Sequence, residues 1–348
     1  MKSFSIGKRN VGEGCPALII AEVAQAHDGS LNIAHSFIDS IASAGADAVK
    51  FQTHIAHAES SHQEQWRVPF SKQDASRYDY WKRMEFTADQ WRGLKDHAEE
   101  KGLLFLSSPF SLEAIDLLQG IGIEAWKIAS GEVRNELLLR RMLGTGLPML
   151  LSSGMSSWAD LSKTVDQIQD ANRPQLLFQC TSAYPCPPER TGLNLLEEMR
   201  ARFNCPTGLS DHSGSIWPSL AAVALGANAV ELHVTWDRAM FGPDAVASVT
   251  FTELKQLVSG IRYTERMLAN PVDKEVEARS LAPMRQMFGQ SLVAARTLPA
   301  GTRLTSDALT SKKPLIGIPA SEFSTVLGKA TLREIQKGEF LHSADLQK

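Results

Sequence analysis

Two imidazoles and two ammonium groups stand where their spacing could do chemistry. His212 ends the run TGLSDH and His233 lies in NAVELHVT, with the Ala- and Leu-rich stretch SLAAVALGA between them. A strand–helix–strand unit of this kind lays two parallel strands side by side with their C-terminal ends on one rim. Side chains alternate along a strand, so Ser210 shares a face with His212, and Glu231 with His233, while Leu232 and Val234 point the other way. Two imidazoles at neighbouring strand ends could hold one metal ion. Each alone also reads as a hydrogen-bonded rim residue, and the pair leaves both readings open.

Lys50, in ADAVKFQT, and Lys127, in AWKIASGE, fall on the inward parity of their own runs, with Val49, Phe51, Trp126 and Ile128 outward. Two ammonium groups in one mouth repel each other and lose hydration, so an anion is expected to offset both. Ser108, Ser130, Ser152, Ser182 and Ser210 supply hydroxyls nearby, which suits a ligand carrying a phosphate and a carboxylate. No Walker or GxGxxG pattern is present. The carboxylates Glu22, Glu132, Asp211 and Asp244 surround the same rim, where one could assist a metal through water and another act as a general base.

These residues need a scaffold that brings many strand ends together. After a polar start that reads as a hairpin, ALIIAEV, ADAVKFQT, LLFLSS, AWKIASGE, PMLLSSG, QLLFQCTSAYP, TGLSDH and NAVELHVT give eight strand-like runs, separated mainly by helical periods. Ser30 is a fair N-cap, Gly45 a stop, and Thr87 to Gln90 a capping box. Eight βα units over about 250 residues predict a (β/α)8 TIM barrel. Its inward polar residues are expected to be Glu22, Lys50, Gln52, Ser108, Lys127, Ser152, Gln179, Ser210, His212 and His233. The stretch from His54 to Met84 is aromatic and polar with no clear period, and a loop that long is usually functional. The expected domains are a barrel over 1–270, a charged linker over 271–286, and a small β-rich domain over 287–348. Within the last, Arg296, Leu298, Gly301, Leu304, Ser306 and Leu309 recur 37 residues later as Arg333, Ile335, Gly338, Leu341, Ser343 and Leu346.

Composition excludes several classes. Of 348 residues, 43% are hydrophobic and 22% charged, as in ordinary globular enzymes. The formal net charge of −3, without a Lys/Arg run, argues against nucleic-acid binding. No apolar stretch approaches the roughly 20 residues that span a bilayer, and the N-terminus lacks the apolar core of a signal peptide. Cys15, Cys180, Cys186 and Cys205 show no CxxC spacing, so a reduced, cytoplasmic setting is expected.

The stretches IIAEVAQAHDGSL, AGADAVKFQTH, FLSSPFS, WKIASGE, LSSGM, TSAYPCPP, GLSDHSG, ELHVTWDRAMFGPD and SLVAARTLPAGTRLT…KKP together resemble the sialic acid synthase (N-acetylneuraminate synthase, NeuB-like) family. The tail resembles the antifreeze-like (SAF) domain that follows the barrel there. The resemblance implies condensation of phosphoenolpyruvate with an N-acetylated hexosamine to a nine-carbon 2-keto-3-deoxy acid, with release of phosphate. It implies a divalent ion, Mn²⁺ with Mg²⁺ or Co²⁺ as alternatives, on His212 and His233. It also implies phosphoenolpyruvate on Lys50, Ser108, Lys127, Ser130, Ser152, Ser182, Tyr184 and Ser210, and the sugar on Gln52 and Asp244. Glu132 matches a proton-transfer group, so the catalytic set would be Glu132, Glu22, Lys50 and Lys127. Members resemble one another in forming domain-swapped homodimers whose SAF domain covers the partner's barrel. Lys313, in SKKPLIG, then stands where an Arg reaching the sugar is more usual, and Lys lacks the planar two-pronged contact of Arg. Ala26, where Asn is common, also lies on the sugar side. Both departures suggest an acceptor other than plain N-acetylmannosamine, such as a diacetamido-trideoxyhexose. Leu232, where a basic residue is common, points outward.

Two other readings compete. A 3-deoxy-ulosonic acid phosphate synthase acting on a sugar phosphate would need a further Arg/Lys pocket, which the sequence does not offer. A carbohydrate-binding protein with a retired active site would not be expected to keep both Lys, both His and Glu132.

Overall fold

Strict alternation of inward and outward side chains builds the first part of this chain. The computed structural model describes residues 3–66 and 68–348. A hairpin of β1 (Ser3–Ile6) and β2 (Arg9–Gly12) comes first, with Phe4 opposite Val11. Eight parallel strands follow: β3 (Leu18–Ala24), β4 (Ala48–Thr53), β5 (Leu104–Pro109), β6 (Trp126–Ile128), β7 (Met149–Ser152), β8 (Gln175–Cys180), β9 (Thr207–Asp211) and β10 (Ala229–Thr235). Their hydrogen-bonded order is β5-β4-β3-β10-β9-β8-β7-β6, and β5 comes against β6 to round off a (β/α)8 barrel. The short β11 (Val249–Thr250) extends the edge of β10.

Leu18, Ile20, Ala48, Leu104, Leu106, Leu150, Leu176 and Phe178 fill the lower interior, and Phe4, Ile6 and Val11 of the hairpin plug its floor. The alternate residues, among them Ile19, Val49, Phe51, Trp126, Ile128 and Leu151, pack outward against the helices. Branched apolar side chains therefore occupy the lower barrel, and polar ones are left to the upper rim.

Among the described residues this unit has ten α-helices: α1 (Leu31–Ala44), α2 (Ala56–Glu59), α3 (Arg77–Met84), α4 (Ala88–Glu100), α5 (Leu112–Gly120), α6 (Glu136–Leu143), α7 (Trp158–Asp170), α8 (Leu195–Phe203), α9 (Trp217–Ala224) and α10 (Phe251–Leu268). Ser30 caps α1, whose end is turned by Gly45 at φ 84°, and the Thr87–Gln90 box opens α4. The stretch from His54 to Met84, expected as one aperiodic loop, holds α2 and α3. Ser76 and Asp79 form a capping box on α3, and the helix buries Tyr80 and Met84 four residues apart.

The chain divides after Ala269, and the second unit is Asn270–Lys348. The stretch expected as a linker carries α11 (Lys274–Ser280) and α12 (Ala282–Phe288). Beyond it, β12 (Ser291–Ala294) pairs antiparallel with β13 (Leu309–Lys312). The 37-residue repeat is structural: Leu298 bridges Ile335, and Leu304, Leu309, Leu341 and Leu346 are buried with them in one small core. Gly301 and Gly338 both hold φ near 80° at the same turn of each half. Among the described residues no helix is long and apolar enough to cross a membrane.

Candidate active site

Strand register places four buried charges in the barrel mouth. Glu22 stands opposite Lys50 across β3–β4 and opposite His233 across β3–β10. Lys50 Nζ donates to Glu22 Oε1 at 2.6 Å, and its other carboxylate neighbour, Glu231 Oε1, lies at 3.7 Å. Lys127 Nζ is 3.3 Å from the same Glu231 oxygen. All four side chains are at most 3% exposed, where an unpaired charge would cost several kcal/mol. Two ammonium groups and two carboxylates sum to zero.

Burial alone would raise the Glu22 carboxyl, but Lys50, His233 and Lys127 hold it well below the usual carboxylate range. Burial also works against the Lys50 ammonium, yet Glu22 and Glu231 together lift it above the ordinary lysine value. Lys127 ends lower than usual: burial outweighs the pull of Glu231, and Lys50 repels it. The pair of lysines is thus unequal, with Lys127 the one that gains most from a further anion.

Hydroxyls gather beside Lys127. Its Nζ donates to Ser152 Oγ at 2.5 Å. A Cβ placed on Gly154 would lie 2.5 Å from both Ser130 Oγ and Ser182 Oγ, so the missing side chain leaves a hollow walled by two hydroxyls. Ser210 Oγ donates to Glu231 Oε1 at 3.1 Å. Ser108 Oγ and Glu231 Oε2 are buried in the mouth without a partner. Buried polar atoms are normally satisfied, so an unspent donor in register with Gln52 marks where a polar ligand belongs.

The imidazoles stand at the next strands. The rings of His212 and His233 are 5.4 Å apart between centroids. His212 Nδ1 lies 3.0 Å from the Thr181 carbonyl, which only accepts, so Nδ1 carries a hydrogen; burial opposes the charged ring, but Cys180, Thr181 and Glu22 push it up to about 9, and Nε2 presents a lone pair once that second proton is shed. Tyr184 Oη sits 3.1 Å from that Nε2. His233 lies between Glu22 Oε2 at 3.6 Å and Asp244 Oδ2 at 3.9 Å. Among the described residues no group of three or more His, Cys, Asp or Glu is arranged to enclose a metal ion. Two nitrogen donors with carboxylates just beyond bonding distance suit an ion whose other ligands are water or substrate.

The outer mouth is aromatic. Trp66, Phe70, Tyr80 and Trp81 line a pocket with Gln25, Gln52, His233 and Asp244 on its inner side. Arg77 also lines it, but it pairs with Glu64 at 2.9 Å and lies over the Trp81 ring. Glu132 follows β6 on a 3-10 turn, accepts from Asn135 Nδ2 at 2.7 Å, and is raised by burial against that bond.

Glu22, Lys50, Lys127, Ser152, Ser210 and Glu231 meet in one hydrogen-bonded or ion-paired set, and Gln52 joins it through Glu22 at 2.7 Å. Two expectations fail on parity. Gln179 turns outward to the Thr191 carbonyl and Ser153, because Leu176, Phe178 and Cys180 take the inward face of β8. Asp211 also faces away from the mouth, accepting from the Ser213 backbone and from Ser219 on α9. Lys313 lies in the C-terminal unit with its ammonium 5.3 Å from the Phe288 ring centre. Glu231, Gly154, Gln25 and His54 also stand at the site, and the sequence pattern does not single them out. Glu231 was within reach, since it shares the face of His233 two residues earlier.

A model of the NeuB family matches residues 37–273, and one of the SAF domain matches residues 289–347. The chain is 36% identical to N-acetylneuraminate-9-phosphate synthase of Homo sapiens, over 95% of this chain and 93% of that one. It is 32% identical to N,N'-diacetyllegionaminic acid synthase of Campylobacter jejuni, over 93% and 98%. The crystal structure of N-acetylneuraminic acid synthetase from Leptospira borgpetersenii superposes with a TM-score of 0.71 at 30% identity, covering 81% of this chain and 97% of that one.

Proposed function

The chain belongs to the NeuB family, and we propose that it joins phosphoenolpyruvate to the open-chain aldehyde of an N-acylated hexosamine, giving a nine-carbon 2-keto-3-deoxy acid. The observation that carries this reading is the zero-sum cluster of Glu22, Lys50, Glu231 and Lys127 together with the unspent Ser108 hydroxyl. Phosphoenolpyruvate brings a carboxylate and a phosphate of about −1.5 to −2. Lys127, Ser152, Ser130 and Ser182 suit the phosphate, with the Gly154 hollow giving it room. Lys50, Ser108 and Ser210 lie on the side left for the carboxylate.

In the balanced reaction C3 of phosphoenolpyruvate bonds to the aldehyde carbon, and the aldehyde oxygen takes a proton. Water supplies the new oxygen at C2, the bond from C2 to the phosphate oxygen breaks and phosphate leaves; of water's two protons, one replaces that taken by the aldehyde oxygen and the other goes to the phosphate. Glu132, raised by burial, is suited to deliver that proton. A divalent ion held by His212 and His233, Mn²⁺ with Mg²⁺ or Co²⁺ as alternatives, would polarise the aldehyde oxygen when bound. Gln52 and Asp244 border the sugar. Arg77 is the cation among the described pocket residues and is already paired with Glu64, which favours an acceptor without phosphate. A diacetamido-trideoxyhexose fits the aromatic wall better than the more polar N-acetylmannosamine. In the assembled enzyme a second copy would cover this mouth with its C-terminal unit and bring Lys313 to the sugar.

The test is phosphate release from phosphoenolpyruvate with a panel of N-acyl hexosamines, with and without chelator. Turnover with a diacetamido-trideoxyhexose well above that with N-acetylmannosamine, abolished by chelator and restored by Mn²⁺, is the expected result. No phosphate with any acceptor and any of the three metals would overturn it.

A further inference from the structure

A chain of hydrogen bonds leads out of the charge cluster and ends on a second carboxylate. Gln52 Nε2 donates to Glu22 Oε1 at 2.7 Å, which turns Gln52 Oε1 toward Gln25. Gln25 Nε2 donates to that oxygen at 2.5 Å and lies 2.7 Å from His54 Nε2. His54 Nδ1 lies 2.6 Å from Glu59 Oε1. The His54 ring is clamped flat between Trp81, at 4.0 Å and 17°, and Phe110, at 4.6 Å and 8°. It is 4% exposed.

Both ends of this chain are carboxylates, which only accept. Glu59 therefore takes the hydrogen of Nδ1, and in the neutral ring His54 Nε2, which also lies 3.4 Å from Gln52 Oε1, is left as an acceptor. A chain with acceptors at both ends must contain one group that donates in both directions, and the Gln25 amide is that group. Its two hydrogens are consumed by Gln52 and His54, so the oxygen is what it can offer the aromatic pocket that it lines. The orientation of that amide is set by Glu59, two links away.

We propose that His54 and Glu59 are positioning residues that fix Gln25 as a hydrogen-bond acceptor for the acceptor substrate, so that the pocket selects a substrate presenting an N–H or O–H donor there. This rests on the reading given above and names the group that enforces its sugar specificity. Unlike Lys127 or His212, neither residue belongs to the anion or metal side.

Two measurements test it. In the unliganded protein, ¹⁵N shifts of the His54 ring should report the less common Nδ1–H tautomer, and Glu59→Gln should release it, since an amide can donate as well as accept. Nε2–H in the wild type would overturn the proposal whether or not the protein turns over. In steady state, His54→Phe keeps the stacked ring and removes the acceptor nitrogen. It should raise the KM for the sugar about tenfold while the KM for phosphoenolpyruvate stays within twofold. Glu59→Gln should give a smaller change of the same kind. Gln25→Met should match His54→Phe, and the double variant should be no worse than either single one. Additive losses, or equal losses for both substrates, would overturn it. A wild type inactive with every acceptor would sink the proposed reaction, and the tautomer would then decide the positioning claim alone.

Discussion

Replacing Glu231 by Gln removes one charge from the zero-sum cluster and keeps the shape. Its oxygen lies 3.3 Å from Lys127 Nζ and 3.7 Å from Lys50 Nζ, so at an effective dielectric of about 20 the two attractions are each roughly 4–5 kcal/mol. Desolvation already cancels part of this, and breaking a buried pair on one side typically costs about 3–5 kcal/mol net. For a unit of this size that lowers Tm by about 10 °C. The same substitution leaves the mouth at +1, which favours an anion by about 1–3 kcal/mol at a separation of ~5 Å and dielectrics of roughly 80 to 20. The variant should therefore be less stable and yet show a larger thermal upshift with phosphoenolpyruvate. The deficit should also shrink as pH rises. Lys127, already driven down by burial, sheds its proton earlier without Glu231, and a folded-state lysine below its unfolded value gains stability as pH climbs. Melting curves with and without phosphoenolpyruvate at several pH values check all three signs. A variant within about 2 °C of the wild type, with an unchanged ligand shift, would refute the charge-balance reasoning.

Gly154→Ala should raise the KM for phosphoenolpyruvate at least tenfold and leave that for the sugar unchanged, because the new Cβ would press on Ser130 and Ser182; steady-state kinetics in each substrate separates the two. Glu132 is raised by burial, so kcat should fall as pH rises through a value above the usual carboxylate range, and Glu132→Gln should remove that limb along with about 10²–10⁴ of the rate. His27 is buried against its charged form and pushed down to about 3. An unfolded histidine near 6.5 binds its proton first, so stability is full above that pH and is lost as pH falls. Between about pH 6.5 and 4.5, above the window where carboxylates such as Glu22 contribute, the loss should be about 2 kcal/mol, and His27→Asn should flatten it in urea titrations.

The strand ends were legible because a strand has a period of two. Once Leu18 and Ile20 point inward, Glu22 must follow, and the same step carries Lys50, Ser108, Lys127 and His233 into the mouth. On β8 the period runs opposite to the expected parity, because Phe178 in the lower core fixes Cys180 inward and Gln179 outward. Asp211 shows the same parity on β9, one residue past Ser210. The tail repeat was equally readable, since six positions recur at one offset and four of them are buried Leu or Ile side chains or turn glycines in both halves. Loops carry no such period. Neither Gln25 nor Glu59 has a spacing that marks it, and the pairing of His54 with both depends on how α2 and α3 fold over the rim.

The cluster and the relay obey one constraint. Charges buried this deeply must be balanced before any ligand arrives, or the barrel would not hold them. Glu22 and Glu231 meet that need for two lysines whose charge is wanted later, and Glu22 does so while also anchoring Gln52. The same carboxylate thus neutralises Lys50 and sets the polarity of the proposed sugar side, through Gln52 and then Gln25. A site stabilised in this way has no surplus positive charge to offer a phosphate and a carboxylate together. In the proposed reaction that surplus would come with a divalent ion on His212 and His233, beside which no third His, Cys, Asp or Glu is arranged among the described residues.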